Sequence, residues 1–208
     1  MKRAVESRLD AWLANPARQP LVLRGARQVG KTWLVRDLAA RAGRQLVELN
    51  FERDPALKRF FSTNDPRQIL GELSLALSVD IDPDRSLLFL DEIQAASEVL
   101  AKLRWFYEYL PQLPVAAAGS LLEFSLADHA FSMPVGRIAF QHIEPMGFSE
   151  YLLAHDQQRL LSAIGAWRPG QNLSAAAHEQ ATRWFSRFAM VGGMPAVVAA
   201  DVSGQEPR

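Results

Sequence analysis

The sequence predicts an α/β fold: a mostly parallel five-stranded sheet between two layers of helix, followed by a small helical extension. Two observations carry this. Short apolar runs alternate with longer segments of helical period, as in strands buried on both faces of a parallel sheet. The residues that break the pattern, Gly25, Asp91–Glu92 and Gly119–Ser120, all fall just past such runs, where parallel sheets bind ligands.

The elements follow in order. Arg3–Leu13 is amphipathic through Val5, Leu9, Trp12 and Leu13, and Asn15–Pro16 ends it. Leu21–Leu23 is a short strand leading into Gly25. Leu34, Val35, Leu38, Ala39 and Ala42 then stripe one helical face, with Gly43 as the stop. Leu46–Phe51 is a second strand, and Pro66 opens a helix carrying Ile69, Leu70, Leu73 and Leu77. Leu87–Leu90 is a third strand; Val99, Leu100, Leu103, Phe106 and Leu110 mark the next helix, stopped by Pro111. Pro114–Ala118 is a fourth strand, and Ile138–Phe140 with Ile143 a fifth. Beyond, Phe148–Ala154, Leu160–Trp167 and Ala175–Met190 read as helices, with a polar break at Arg168–Ser174 and a stop at Gly192–Gly193. The boundary falls near Met146. Residues 1–145 form the core, with an N-terminal helix over about 1–15, and residues 146–208 the extension.

Composition narrows the function. The chain has 208 residues and no cysteine, which excludes disulfides, thiolate catalysis and Cys-ligated zinc. His129, His142, His155 and His178 lack metal-ligand spacing and read as surface or helix residues. The five tryptophans, Trp12, Trp33, Trp105, Trp167 and Trp184, read as core or domain-contact residues. No apolar run approaches the roughly 20 residues of a membrane span, and the start lacks a signal-peptide pattern, so a cytoplasmic protein is expected. The ends, Met1–Arg3 and Gly204–Arg208, read as frayed. The 23 Lys and Arg balance 23 Asp and Glu, yet residues 1–60 are markedly basic and the rest acidic. A basic half can face nucleotide phosphates, a nucleic acid or an acidic partner, or be scattered solvated side chains.

Gly25, Ala26, Arg27, Gln28, Val29, Gly30, Lys31 and Thr32 match G-x-x-x-x-G-K-[ST] without exception, with Trp33 directly after them. Chance produces such a match on the order of 1% of the time in a chain this long. The match lies between a strand and a helix, as the chemistry requires. The glycines let backbone N–H groups curl around phosphate oxygens, at the positive end of a helix. Lys31 adds a point charge for the β- and γ-phosphates, and Thr32 a hydroxyl for Mg²⁺. After Leu87–Leu90, Asp91 can reach the Mg²⁺ water shell and Glu92 can polarise a water. The strand between the two motifs favours a sheet in which their strands are not neighbours. Ser120 is a polar sensor near the γ-phosphate, or a helix N-cap with Glu123 at its third position, and both can hold. Arg137 is an arginine finger, often supplied by a neighbouring subunit, or an ordinary strand-edge arginine. Arg24 and Arg27 flank the loop, and Gln94 reads as solvent-facing.

Together with Phe89–Gln94, Ala118–Ser120, Gly136–Ile138, Glu144–Tyr151 and Gly192–Pro195, these motifs resemble the prokaryotic AAA-like P-loop ATPases that carry a DUF4143 domain, the AAA_14 or archaeal-ATPase-like group. The resemblance spans about residues 15–200. It implies a P-loop NTPase sheet of the ASCE type and ATP as nucleotide. It places Lys31, Thr32, Asp91 and Glu92 at the site, with Ser120 and Arg137 near it. It also implies a C-terminal domain missing from this chain.

The expected activity is Mg²⁺-dependent hydrolysis of ATP to ADP and phosphate, in a protein that can form a homo-oligomer. The first rival is a nucleotide-gated module acting on an unknown protein or nucleic-acid partner with little turnover. The second is a P-loop kinase, disfavoured by Asp91–Glu92 and the family motifs.

Overall fold

In the computed structural model, residues 1–120 and 136–204 are described. Five strands, β1 (Leu21–Arg24), β2 (Gln45–Asn50), β3 (Ser86–Asp91), β4 (Val115–Ala118) and β5 (Ala139–His142), form one sheet. Its order is β2-β3-β4-β1-β5, and every neighbouring pair is parallel. Burial follows position in the sheet. Strands β3 and β4 are buried at every residue because both their edges and faces are covered, whereas the outer strands β2 and β5 alternate. That is why β3 reads as an unbroken apolar run. β4 lies between β1 and β3, so the strands before Gly25 and before Glu92 are separated as expected.

Helices α1 (Glu6–Ala14), α2 (Lys31–Arg41), α3 (Pro66–Leu77) and α4 (Leu103–Tyr109) accompany the sheet. Asp65 caps α3 by accepting from the Arg67 amide, with Pro66 at the first helical position. The stripe read from Val99 to Leu110 is not one α-helix. Ile93–Lys102 is a 3₁₀ segment kinked at Ala96, and α4 starts only at Leu103. A second 3₁₀ segment, Pro55–Phe61, went unread, because i, i+3 spacing over seven residues is too short a pattern. The core consists of Leu, Val, Ile, Ala and Phe, including Val22, Leu49, Phe51, Leu88, Leu90 and Phe106. Trp33 and Trp167 are exposed, which corrects the core reading for those two, whereas Trp12, Trp105 and Trp184 are half-buried.

The chain divides into two compact units. Ser7–Ile143 holds the sheet; Met1–Glu6 groups with the residues from Glu144 onward. This helical unit contains α5 (Phe148–Ala154), α6 (Gln158–Ala166), α7 (Ala175–Val191) and α8 (Pro195–Ser203). α8 was not read from sequence because its Val and Ala residues have no polar face to set a period. Tyr151, Val198 and Met146 are buried at its centre against Phe148, Trp184 and Phe188. The beginning of the chain is not frayed. Arg3 is buried, with Nε 2.9 Å from Glu150 Oε1 and Nη2 donating to the Glu144 carbonyl at 2.8 Å. His155 is likewise no surface residue: its Nε2 lies 3.0 Å from Asp201 Oδ2, and its ring packs on Tyr151 and Trp184. Among the described residues no helix is long and apolar enough to cross a membrane.

Candidate functional site

The loop between β1 and α2 is shaped by its backbone. Gly25, Gln28 and Gly30 all have positive φ, of 140°, 63° and 92°. Turns of this kind bring successive N–H groups to one side, where they can converge on an anion. Gly25 is fixed by packing as well: a Cβ there would sit 2.1 Å from the Ile143 carbonyl oxygen at the end of β5. Gly30 ends the loop as the N-cap of α2 and offers no side-chain cap, leaving first-turn amides to be satisfied from outside the helix. Lys31 is buried in this turn, and its Nζ donates to the carbonyls of Gly25 (2.9 Å) and Ala26 (2.7 Å). Burial lowers its pKa, against the opposing pull of the Glu92 and Asp91 carboxylates.

β3 brings Asp91 to the same place. Thr32 Oγ1 lies 3.3 and 3.2 Å from the two carboxylate oxygens of Asp91. Burial first, and the charge of Glu92 second, push the Asp91 carboxyl up from its ordinary range; the Thr32 hydrogen bond only partly offsets them. A crowded, desolvated carboxylate beside a hydroxyl suits a hard divalent cation. No group of three His, Cys, Asp or Glu forms a metal cage among the described residues. Mg²⁺ bound here would therefore draw its other oxygens from phosphate and water.

Two neighbours were not found from sequence. Asn50 pairs in register with Asp91, and its Nδ2 donates to Asp91 Oδ2 at 3.3 Å. Gln94 is not solvent-facing: its Nε2 donates to Glu92 Oε2 at 2.6 Å. Glu92 itself adopts φ 50°, ψ 46°, a left-handed turn that ends β3. The signal for Asn50 lay in strand pairing, which a linear reading does not contain.

Ser120 is near the loop: Arg27 Nε donates to its Oγ at 3.3 Å. Its cap reading rests on Leu121–Glu123, which lie outside the described residues, as does His129. The Arg24 guanidinium stacks 3.6 Å above the Phe140 ring. Trp33 sits exposed in the first turn of α2. Arg137 is not brought to the loop. It precedes β5 at the amino-terminal edge of the sheet, and its Nε is 3.0 Å from Glu108 Oε1. The loop lies at the opposite edge, about 20 Å away along the strands.

A family profile described as an AAA domain (AAA_14) matches residues 17–152. The chain belongs to this AAA family. The match covers the loop, both motif strands and β5. Solved structures agree on the fold of this AAA domain. A Walker-type ATPase of Pyrococcus abyssi is 20% identical at TM-score 0.51, over 97% of this chain and 66% of that one. PCH-2 of C. elegans is 13% identical at 0.50, over 98% and 62%. A structure of the Drosophila ORC bound to DNA is 13% identical at 0.50, over 95% and 58%. The chain thus spans less than two thirds of the length of each. No curated protein matches it.

Proposed function

We propose that this AAA domain binds ATP with Mg²⁺ and hydrolyses it to ADP and phosphate. The observation that carries the reading is the approach of Thr32 to Asp91 beside a loop of positive-φ residues holding Lys31. In this reading the amides from Ala26 to Thr32 cradle the phosphates, and Lys31 exchanges a loop carbonyl for a phosphate oxygen. Thr32 and Asp91 would hold Mg²⁺, which would supply positive charge to the phosphates. Trp33 lies beside the bound nucleotide. Glu92 accepts a proton from water as the water oxygen bonds to the γ-phosphorus. The bond from that phosphorus to the β,γ-bridging oxygen breaks, and its electron pair leaves with ADP. Ser120, next to Arg27, contacts the γ-phosphate or the water.

Arg137 faces away from its own loop, so a finger role requires a second copy of the chain. The later motifs, Glu144–Tyr151 and Gly192–Pro195, support kinship with the DUF4143-bearing branch. Nucleotide-dependent melting with ATP, GTP or ATP without Mg²⁺, followed by single-turnover phosphate release, tests the reading. Stabilisation by ATP·Mg²⁺ with phosphate release supports it. Stabilisation without release would make the chain a nucleotide-gated interaction module, and no stabilisation would refute the assignment.

A further inference from the structure

We infer that Gln94 is a positioning residue that aims the Glu92 carboxylate. The inference rests on the proposed hydrolysis. The backbone at Glu92, left-handed at φ 50°, fixes the direction in which the side chain leaves the end of β3. It does not fix the carboxylate, which lies beyond three further rotatable bonds. Among the described residues, the one hydrogen bond to that carboxylate comes from Gln94 Nε2, at 2.6 Å. A short hydrogen bond to a charged acceptor is of the stronger kind.

The orientation of the Gln94 amide is dictated by this contact. Turning it over would set its oxygen against a carboxylate oxygen. The opposite end of the amide has no compensating anchor: Gln94 Oε1 is buried and has no hydrogen-bond partner among the described residues. A glutamine kept for packing would have both ends satisfied, and an apolar side chain would fill the space without stranding an acceptor. What the amide supplies is its grip on Glu92.

That grip opposes a specific pull. Among the charged groups near Glu92, Lys31 attracts it and Asp91 repels it. Both forces drive the free carboxylate toward the Lys31 ammonium. There it would compete for the charge meant for phosphate and turn from the water. Holding Oε2 through Gln94 keeps the carboxylate between these outcomes and leaves Oε1 free to take a proton.

The test is a double-mutant cycle in the full chain, with Gln94→Ala and Gln94→Glu each made alone and together with Glu92→Gln, and Glu92→Gln by itself. ATP·Mg²⁺ affinity is read with a fluorescent ATP analogue, and chemistry by single-turnover phosphate release. Gln94→Ala and the near-isosteric Gln94→Glu are expected to bind within about threefold of wild type and to release phosphate about tenfold more slowly, a fraction of what a positioned base contributes. In the Glu92→Gln background, Gln94→Ala should cause no further loss, because the residue acts only through Glu92. If Gln94→Ala does not fold, Gln94→Glu carries the same expectation in both backgrounds. The inference is overturned by a wild-type rate in either variant, by a binding loss that accounts for the slowing, or by an equal further loss in the Glu92→Gln background. A wild-type protein that binds ATP but releases no phosphate overturns hydrolysis itself and this inference with it. A hydrolysing wild type with an unaffected Gln94→Ala overturns the inference alone.

Discussion

Thr32 Oγ1 lies 3.2 Å from Asp91 Oδ2, joining the first turn of α2 to the end of β3 across 59 positions of sequence. The contact places a hydroxyl and a desolvated carboxylate where a cation would relieve them both. Without the cation, the Asp91 charge is a liability, since burial and Glu92 both raise its carboxyl. Asp91→Asn should therefore raise the stability of the nucleotide-free protein by about 1 kcal/mol, as replacing strained active-site groups commonly does. The same variant should lose most of the Mg²⁺ dependence of ATP binding. Melting curves with ATP, with and without Mg²⁺, measure both. A variant less stable than wild type would show that Asp91 is a structural acceptor and not a cation seat.

Two residues of the loop should separate cleanly. Lys31 makes its hydrogen bonds to the carbonyls of half-buried Gly25 and exposed Ala26, so Lys31→Ala should melt within a few degrees of wild type and lose stabilisation by ATP. Gly25→Ala is a different matter. Its methyl would meet the Ile143 carbonyl at 2.1 Å, in a backbone at φ 140° that alanine avoids. Ile143 cannot retreat without breaking its 2.7 Å hydrogen bond to the Arg24 carbonyl. The cost should be about 3 kcal/mol or more, read as a lower melting temperature even without nucleotide. Equal melting temperatures for the two variants would contradict this account.

The sheet was legible because its central strands are buried on every side, and Leu87–Leu90 cannot then alternate with polar residues. The loop was legible because its geometry demands glycine at Gly25 and Gly30. Gln28 shares the positive φ without being glycine, and so gave no sign of it. Asn50 and Gln94 were missed for another reason. Each acts through a carboxylate that its own neighbours in sequence do not reveal, one across a strand pair and the other back across a turn. Arg3 and His155 were misjudged because a polar side chain near a terminus or helix end reads as exposed until its partners, Glu150 and Asp201, are placed beside it.

Arg137 is bound to Glu108 at the edge of the sheet opposite the loop. Glu108 is also held by Arg104 and has its carboxyl pulled down by the two guanidiniums, Arg137 first. An arginine this far from the loop cannot serve its own chain. Arg137→Ala should therefore leave single-turnover hydrolysis unchanged at concentrations where the protein is monomeric. If the residue is a finger, the loss appears only as the concentration rises to permit assembly, on the scale of tenfold or more. Mixing Arg137→Ala with Glu92→Gln should then restore part of the activity. Loss in the dilute monomer would mean that Arg137 acts through Glu108 on the fold.

The helical unit carries its own sensitivity to acid. Asp201 accepts from Tyr151 Oη at 2.6 Å and from Arg187 Nη2 at 2.7 Å, with His155 at 3.0 Å. Burial alone would raise the Asp201 carboxyl, but the bonds from Arg187 and Tyr151 outweigh it and hold the carboxyl below its ordinary range. Tyr151 responds oppositely, pushed up to about 12 by burial and by the carboxylate it donates to. Glu150 shows the Asp201 pattern: burial is outweighed by the amides of Ala4 and Gly147 and by Arg3. A carboxylate whose folded pKa is depressed stabilises the fold above its unfolded pKa and ceases to as pH falls through the folded value. The contribution of both residues is thus complete above about pH 5 and lost progressively below about pH 4. Trp184, packed against Tyr151 and His155, reports on this in its indole NMR resonance. Asp201→Asn should lower stability at pH 7 by about 1–2 kcal/mol, through weakened bonds to Tyr151 and Arg187, and flatten the acid dependence of the Trp184 signal. An acid transition at Trp184 that is the same in wild type and variant would assign the sensitivity to Glu150 and Arg3 alone.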